Sequence, residues 1–155
     1  MIRFVPVEET NVERYQLFER DYEASLKPYQ SRIRPKRWET FRSLYDKKML
    51  AWSYLVWEKR LIGSVWLEKD REEERTATLG IFIVDEKMRG HGLGREAILR
   101  FIDRWRGRLG VDEIRLHVRA DNPRAIACYK ACGFTEQRRF VNRDRVRVIV
   151  MSRTL

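Results

Sequence analysis

One stretch limits what this chain can become more than any other. From Leu79 to Gly94 it reads Leu-Gly-Ile-Phe-Ile-Val-Asp-Glu-Lys-Met-Arg-Gly-His-Gly-Leu-Gly, an apolar, strand-like run that breaks into a turn with glycine at alternate positions. Glycine takes positive φ readily and lets backbone approach a ligand closely. The helix expected to begin near Gly92 aims unpaired N–H groups and the positive end of its dipole at the same spot. Strand, glycine turn and helix together make a cradle for an anion, and Arg89 and Arg95 add charge to it. The alternation Gly90, Gly92, Gly94 is not the spacing of the dinucleotide fingerprint.

A second stretch narrows the reading. His117-Val-Arg-Ala-Asp-Asn-Pro-Arg-Ala-Ile-Ala-Cys-Tyr-Lys-Ala-Cys-Gly-Phe134 ends a strand, opens a helix with Asn122 and Pro123, and stops it at Gly133. Together the two stretches resemble the GNAT superfamily of acetyl-CoA-dependent N-acetyltransferases. Arg89-Gly90-His91-Gly92-Leu93-Gly94 matches its Arg/Gln-x-x-Gly-x-Gly pyrophosphate loop, and Asn122, Ala125, Tyr129, Gly133 and Phe134 match its Asn-x-x-Ala…Tyr…Gly-Phe segment. The resemblance spans nearly the whole chain, is strongest over residues 76–136, and is greatest to the ribosomal-protein alanine N-acetyltransferase branch. It implies one domain over residues 1–155 of the α/β class: a GNAT-like mixed, mostly antiparallel sheet with helices on both faces. It also implies a central strand pair, near Val84 and Ile114, that splays to admit the pantetheine arm.

The same resemblance assigns roles to residues. Acetyl-CoA is the expected cosubstrate, and a primary amine the acceptor: a protein N-terminus, a lysine or a small molecule. Backbone N–H groups of Phe82, Ile83 and Val84 would pair with pantetheine and polarise the thioester carbonyl. Arg89, Gly90, His91, Gly92, Leu93, Gly94 and Arg95 would bind the pyrophosphate, His91 through its backbone. Arg124 or Lys130 would meet the ribose phosphate, against the plainer reading of surface charge. Asn122 reads as an N-cap, as a partner of the pantetheine arm, or as both.

Amine acetylation needs a neutral amine and a proton for the departing thiolate. Tyr129, about two turns into its helix, is the candidate acid, against a reading as an aromatic staple. His117 is the candidate base, standing where the ribosomal-protein branch carries glutamate; a histidine with a pKa near ~6.5 suits that task at neutral pH. A merely solvated histidine is an equal reading. Glu68 and Asp70 are weaker candidates, and a water chain is a further one.

Composition sets the alternatives. The 155 residues suffice for one domain, and a formal charge of +10 attracts polyanions. A basic nucleic-acid-binding module, proximity to a ribonucleoprotein, and a non-catalytic acetyl-CoA sensor are therefore carried beside the enzyme; monomer and homodimer both stay open. Two histidines and two cysteines, Cys128 and Cys132, show no metal-ligand clustering, so no metal is expected and the thiols read as reduced and structural. No apolar run reaches the ~20 residues of a membrane span and no signal-peptide layout opens the chain, so a cytoplasmic protein is expected.

The remaining pattern supplies elements in order. Ile2 to Val7 reads as a strand, and Thr10-x-x-Glu13 as a capping box before a helix with Val12, Tyr15, Phe18, Tyr22 and Leu26 on one face, ended by Lys27-Pro28. After a basic loop, Tyr29 to Lys36, Trp38, Phe41, Leu44 and Tyr45 mark a second helix. Met49–Trp57 and Leu61–Leu67 form a hairpin, and Glu68 to Arg75 a solvated charged loop. Thr76–Val84 is a strand, with Gly80 marking a bulge or close approach. A helix from Leu93 buries Ala97, Ile98, Phe101, Ile102, Trp105 and Leu109, and Gly107 and Gly110 end it. A strand around Ile114–Val118, the helix opened by Asn122, and a hairpin around Asn142-Arg143-Asp144 complete the chain.

Overall fold

The computed structural model describes residues 1–26, 38–84 and 91–155. The readings placed on Arg89, Gly90, Lys27-Pro28 and the segment Tyr29 to Lys36 lie outside the described residues. In chain order the elements are β1 (Arg3–Pro6), α1 (Val12–Ala24), α2 (Trp38–Asp46), β2 (Leu50–Trp57), β3 (Arg60–Glu68), β4 (Thr76–Ile83), α3 (Leu93–Leu109), β5 (Glu113–Arg119), α4 (Pro123–Ala131), β6 (Thr135–Val141) and β7 (Arg147–Thr154). Seven strands make one sheet in the order β1-β2-β3-β4-β5-β7-β6. Neighbours pair antiparallel except β4 and β5, which run parallel.

Alternation along the strands sorts side chains to two faces. On one face Ala77, Leu79, Ile114, Leu116, Ile149 and Met151 meet Ala97, Ile98, Phe101 and Ile102 of α3, with Ala125, Ile126 and Tyr129 of α4 packed against them. On the other, Leu50, Trp52 and Tyr54 meet Val12, Tyr15 and Phe18 of α1 and Phe41, Leu44 and Tyr45 of α2. Helices thus cover both faces, as the resemblance implies.

Local chemistry departs from the sequence reading in three places. Asn11, not Thr10, precedes α1, and its side chain makes no cap bond to the helix. Instead Asn11 Oδ1 accepts from the Glu8 N–H at 2.9 Å and Nδ2 donates to the Pro6 carbonyl at 3.1 Å, so the residue folds the strand end back rather than capping. The β2–β3 turn is Glu58-Lys59, both at positive φ (48° and 64°), a conformation that hairpins usually give to asparagine and glycine. Gly107 lies within α3; Gly110, at φ 67°, ends it, with the Val111 N–H donating to the Arg106 carbonyl at 3.2 Å.

The charged loop after β3 proves partly internal. Lys69 is 6% exposed, and its Nζ donates to the Glu72 carbonyl at 2.7 Å and the Leu109 carbonyl at 2.8 Å. That places a cation at the negative end of α3. The rest of the loop is solvated, as expected, with Arg71 pairing Glu74 and Arg75 pairing Asp112 at the surface.

Candidate active site

The site begins where the sheet fails to close. β4 and β5 pair only at Thr76↔Glu113, Ala77↔Ile114 and Thr78↔Arg115, after which β4 runs on to Ile83 and β5 to Arg119 without register. A strand whose ladder stops keeps its outward amides available for something else. The Val84 N–H is not one of these: it donates to the Ile62 carbonyl of β3 at 2.8 Å. Antiparallel bonding alternates, so Phe82, opposite Ser64, turns its amide the same way, and Ile81 and Ile83 are the residues whose amides face the opening. Of the three amides expected there, Ile83 keeps its place; Phe82 and Val84 are corrected by strand parity, and Ile81 joins the set.

α3 starts at this opening. Its N-cap is Gly92 at φ 70°, with no side-chain cap bond, and a side chain built there would meet nothing within 4 Å. The acid of its first turn, Glu96, is engaged elsewhere, accepting from the Ile2 N–H at 3.0 Å and from Arg100 at 2.8 Å. Among the described residues no side chain caps the amides of Leu93, Gly94 and Arg95, so the positive end of the helix is available to an anion. Gly94 serves a different purpose from Gly92: a Cβ there would stand 3.3 Å from the Cys128 sulfur, so its bareness lets α4 come close. His91 is exposed, with its ring 5.2 Å from that of Trp57. Arg95, Arg124 and Lys130 are exposed as well.

α4 is built differently at both ends. Asn122 Oδ1 accepts from the Ala125 N–H at 3.3 Å, which confirms the N-cap. At the other end Gly133, at φ 91°, donates to the Lys130 carbonyl at 3.0 Å, and the Phe134 N–H donates to the Tyr129 carbonyl at 3.0 Å. This is a Schellman cap, and the apolar contact that accompanies such caps is the edge contact of Tyr129 with Phe134, centroids 6.2 Å apart. Tyr129, Gly133 and Phe134 thus form one mechanical unit. Burial, then the neighbouring Cys128, Cys132 and Tyr22, push the Tyr129 phenol well above its ordinary range, so it keeps its proton. Tyr22 comes from α1, where its ring stacks on Phe82 at 4.4 Å; this links α1 to the mouth of the opening.

His117 points from β5 to the face opposite α3, between Arg115 and Arg119 in sequence and opposite Val150 of β7. Its ring meets Phe140 edge-on at 5.8 Å. Partial burial, Arg138 and Arg115 lower its pKa, against a smaller pull upward from Asp70, so the imidazole is neutral at pH 7. Asp70 is therefore near the site as a neighbour of His117.

Sequence pattern missed the polar pair under α1. Glu19 is 2% exposed and accepts a short hydrogen bond from the Tyr54 hydroxyl, on which Tyr15 stacks at 4.0 Å. Burial and Glu19 together raise the Tyr54 phenol far above its usual range. The helical period had shown Tyr15, Phe18 and Tyr22 on this face, and Glu19, at the same spacing, was the available signal. Among the described residues no group of three or more His, Cys, Asp or Glu side chains could hold a metal ion, and no helix is long and apolar enough to cross a membrane.

A sheet opened at its parallel pair, with an uncapped helix N-terminus following β4, leaves backbone amides available to an anionic ligand. The Acetyltransferase (GNAT) family pattern matches residues 12–134, and the chain belongs to that family. A spermidine N(1)-acetyltransferase of Vibrio cholerae serotype O1 is 38% identical over 80 residues, 52% of this chain and 46% of its own length. A mycothiol acetyltransferase of Beutenbergia cavernae is 33% identical over 103 residues, 66% of this chain and 33% of its own length. The chain thus spans less than half the length of these curated relatives. Among solved structures, a ribosomal L7/L12 alpha-N-protein acetyltransferase in complex with coenzyme A superposes with a TM-score of 0.80 at 15% identity, over 99% of this chain and 94% of that one. That last likeness is one of fold.

Proposed function

We propose that the protein transfers an acetyl group from acetyl-CoA to a primary amine by direct attack, with no acetyl-enzyme. The observation that carries this reading is the opening between β4 and β5, with the uncapped N-terminus of α3 following β4 in the chain. Acetyl-CoA supplies a thioester whose acyl carbon accepts the amine and whose thiolate departs. In this reading the amides of Ile81 and Ile83 bind pantetheine, and those at the start of α3, with Arg95, bind the pyrophosphate. Arg89 and Gly90 belong to the same loop in sequence.

Tyr129 is the acid in this reading. Its phenol stays protonated at pH 7 and is able to donate a hydrogen bond, and then its proton, to the departing thiolate. His117 is the base, directly or through water, because its lowered pKa leaves it neutral and able to accept a proton from the incoming ammonium.

The acceptor is an amine on a neutral or acidic carrier, such as a polypeptide N-terminus. Two of the three charged groups acting on His117 are cations, Arg115 and Arg138. Charge of this sign repels a polycation. The named relatives favour a second reading, a small-molecule acceptor. Thiol release from acetyl-CoA, measured against peptides with free or blocked N-termini, spermidine and amino-sugar thiols, separates them. Free N-terminal peptides with acidic second residues are expected to react fastest; faster turnover of spermidine would reverse the assignment of acceptor.

A further inference from the structure

The sheet face that carries His117 continues past β5. His117 and Arg138 both pair with Val150 of β7, so the two side chains share a row and a face, two strand spacings or about 10 Å apart at the backbone. Phe140, next along that face of β6, touches both: its ring meets His117 edge-on at 5.8 Å and lies under the Arg138 guanidinium at 5.2 Å. A bulge between Glu136 and Arg138 makes this arrangement. It resets the alternation at Gln137, so Glu136 and Arg139, three apart, fall on the face of Met151 and Ile149 and pair with each other there. Arg138 and Phe140 turn instead to the face of His117. Bulges beside active sites commonly re-aim a side chain in this way. The acid nearest to Arg138 in sequence, Glu136, is thereby held away from it. Along the same face Arg115 pairs with Glu113 at 3.5 Å and Arg119 with Asp121 at 3.0 Å. Among the described residues the exposed Arg138 side chain has no acid and no hydrogen-bond acceptor, only the ring of Phe140. A ring contact uses none of the five N–H donors of a guanidinium.

We propose that Arg138 determines acceptor specificity: its guanidinium binds a carboxylate on the second or third residue of the acceptor chain while the amine at the end of that chain meets His117. The inference rests on reading His117 as the base of an acetyl transfer, and it adds the group that selects the substrate. An extended chain advances about 3.5 Å per residue, so a side chain at the second or third position covers the span from His117 to Arg138. A guanidinium takes a carboxylate through two parallel charge-assisted hydrogen bonds, which fixes direction as well as sign. A neutral side chain gains less there. A lysine, or the second ammonium of a polyamine, meets a like charge.

The test compares acetyl-CoA-dependent acetylation of three peptides with free N-termini that differ only in carrying Glu, Gln or Lys at the second and third positions. It is run at about pH 8, where His117 is neutral with or without Arg138. The unaltered protein should show kcat/KM at least about tenfold higher for the Glu peptide than for the Lys peptide, with the difference in KM. Arg138→Glu should reverse that order and Arg138→Gln should level it. Arg138→Lys should keep a weaker acidic preference, since lysine supplies the charge without the paired donors. Calorimetric binding of acetyl-CoA reports that each variant is folded, and Arg138→Gln carries the comparison alone if the acidic variant is not. An unchanged order of peptides in Arg138→Glu, an equal loss on all three, or equal rates with the unaltered protein would overturn the proposal and leave acetyl transfer standing. A protein that acetylates spermidine and no peptide removes the acceptor and the role of Arg138 together; one that binds no acetyl-CoA fails at the earlier reading, and the proposal falls with it.

Discussion

The two halves of one sheet face are finished in opposite ways. Over β2, β3 and β4, helices α1 and α2 lay down a continuous aromatic layer in which Trp52 Nε1 donates to Ser64 Oγ at 2.8 Å and Tyr54 to Glu19. Over β5, β7 and β6, none of the described strand residues joins that layer; the face carries exposed Arg115 and His117 beside buried Val148 and Val150, with Arg138 over Phe140 at 5.2 Å. The sealed half satisfies its polar groups internally, whereas the other pairs its charges at the surface, Arg115 with Glu113 at 3.5 Å and Arg119 with Asp121 at 3.0 Å. Stability and chemistry are thereby divided along the β4–β5 opening. A change in the first half should move the melting temperature and spare the pH profile, and a change in the second should do the reverse.

The largest expected effect lies at the boundary. Tyr129→Phe keeps the ring, the Schellman cap and the contact with Phe134, and removes only the phenolic proton. Turnover should fall about 100-fold with acetyl-CoA affinity and melting temperature nearly unchanged. Unaltered turnover would strip Tyr129 of the acid role.

Next come two substitutions in the sealed half. A side chain at Gly80 would start 2.0 Å from Cε2 of Trp66, whose indole lies across the glycine. Gly80→Ala should therefore destabilise by about 1–3 kcal/mol, read from denaturant unfolding. Tyr54→Phe removes a buried hydrogen bond to Glu19 and should cost about 1–2 kcal/mol. A pH profile that moved with either change would blur the division between the halves.

The smallest effect is the most discriminating. His117 titrates below its ordinary value, so as pH falls the base should survive past ~6.5 and be lost only lower, which places the acidic limb of the rate profile below that point. Arg138→Gln removes a cause of the lowering and should move the limb upward. Asp70→Asn removes the opposing influence and should move it downward. Shifts of the same sign in both variants, or an acidic limb retained in His117→Ala, would show that another group is the base.

What the sequence revealed followed from how local each signal was. Asn122, Tyr129, Gly133 and Phe134 were readable because a helix with a cap at each end is specified within a dozen residues, and the structure supplies the bonds for that spacing. The bordering strands were readable too, since Ile114, Leu116 and Val118 alternate with Arg115, His117 and Arg119. Which β4 amides face the opening was not readable, because parity depends on the pairing of Ile83 with Gly63, a partner twenty residues earlier. Lys69 misled for a related reason. Inside a run of charges it looked solvated, and the arrival of the far end of α3, at Leu109, gave its ammonium a distant partner beside the local Glu72 carbonyl.

Gly133 and Asn122 fix both ends of α4, which makes its length a functional quantity. Each residue of an α-helix turns the chain by about 100°, so one residue inserted between Asn122 and Tyr129 would swing the phenol to a different side of the helix while every side chain kept its identity. Substitutions along this helix should be widely tolerated. Insertions and deletions should not be, and a library that varies α4 in length as well as in composition would separate the two kinds of constraint.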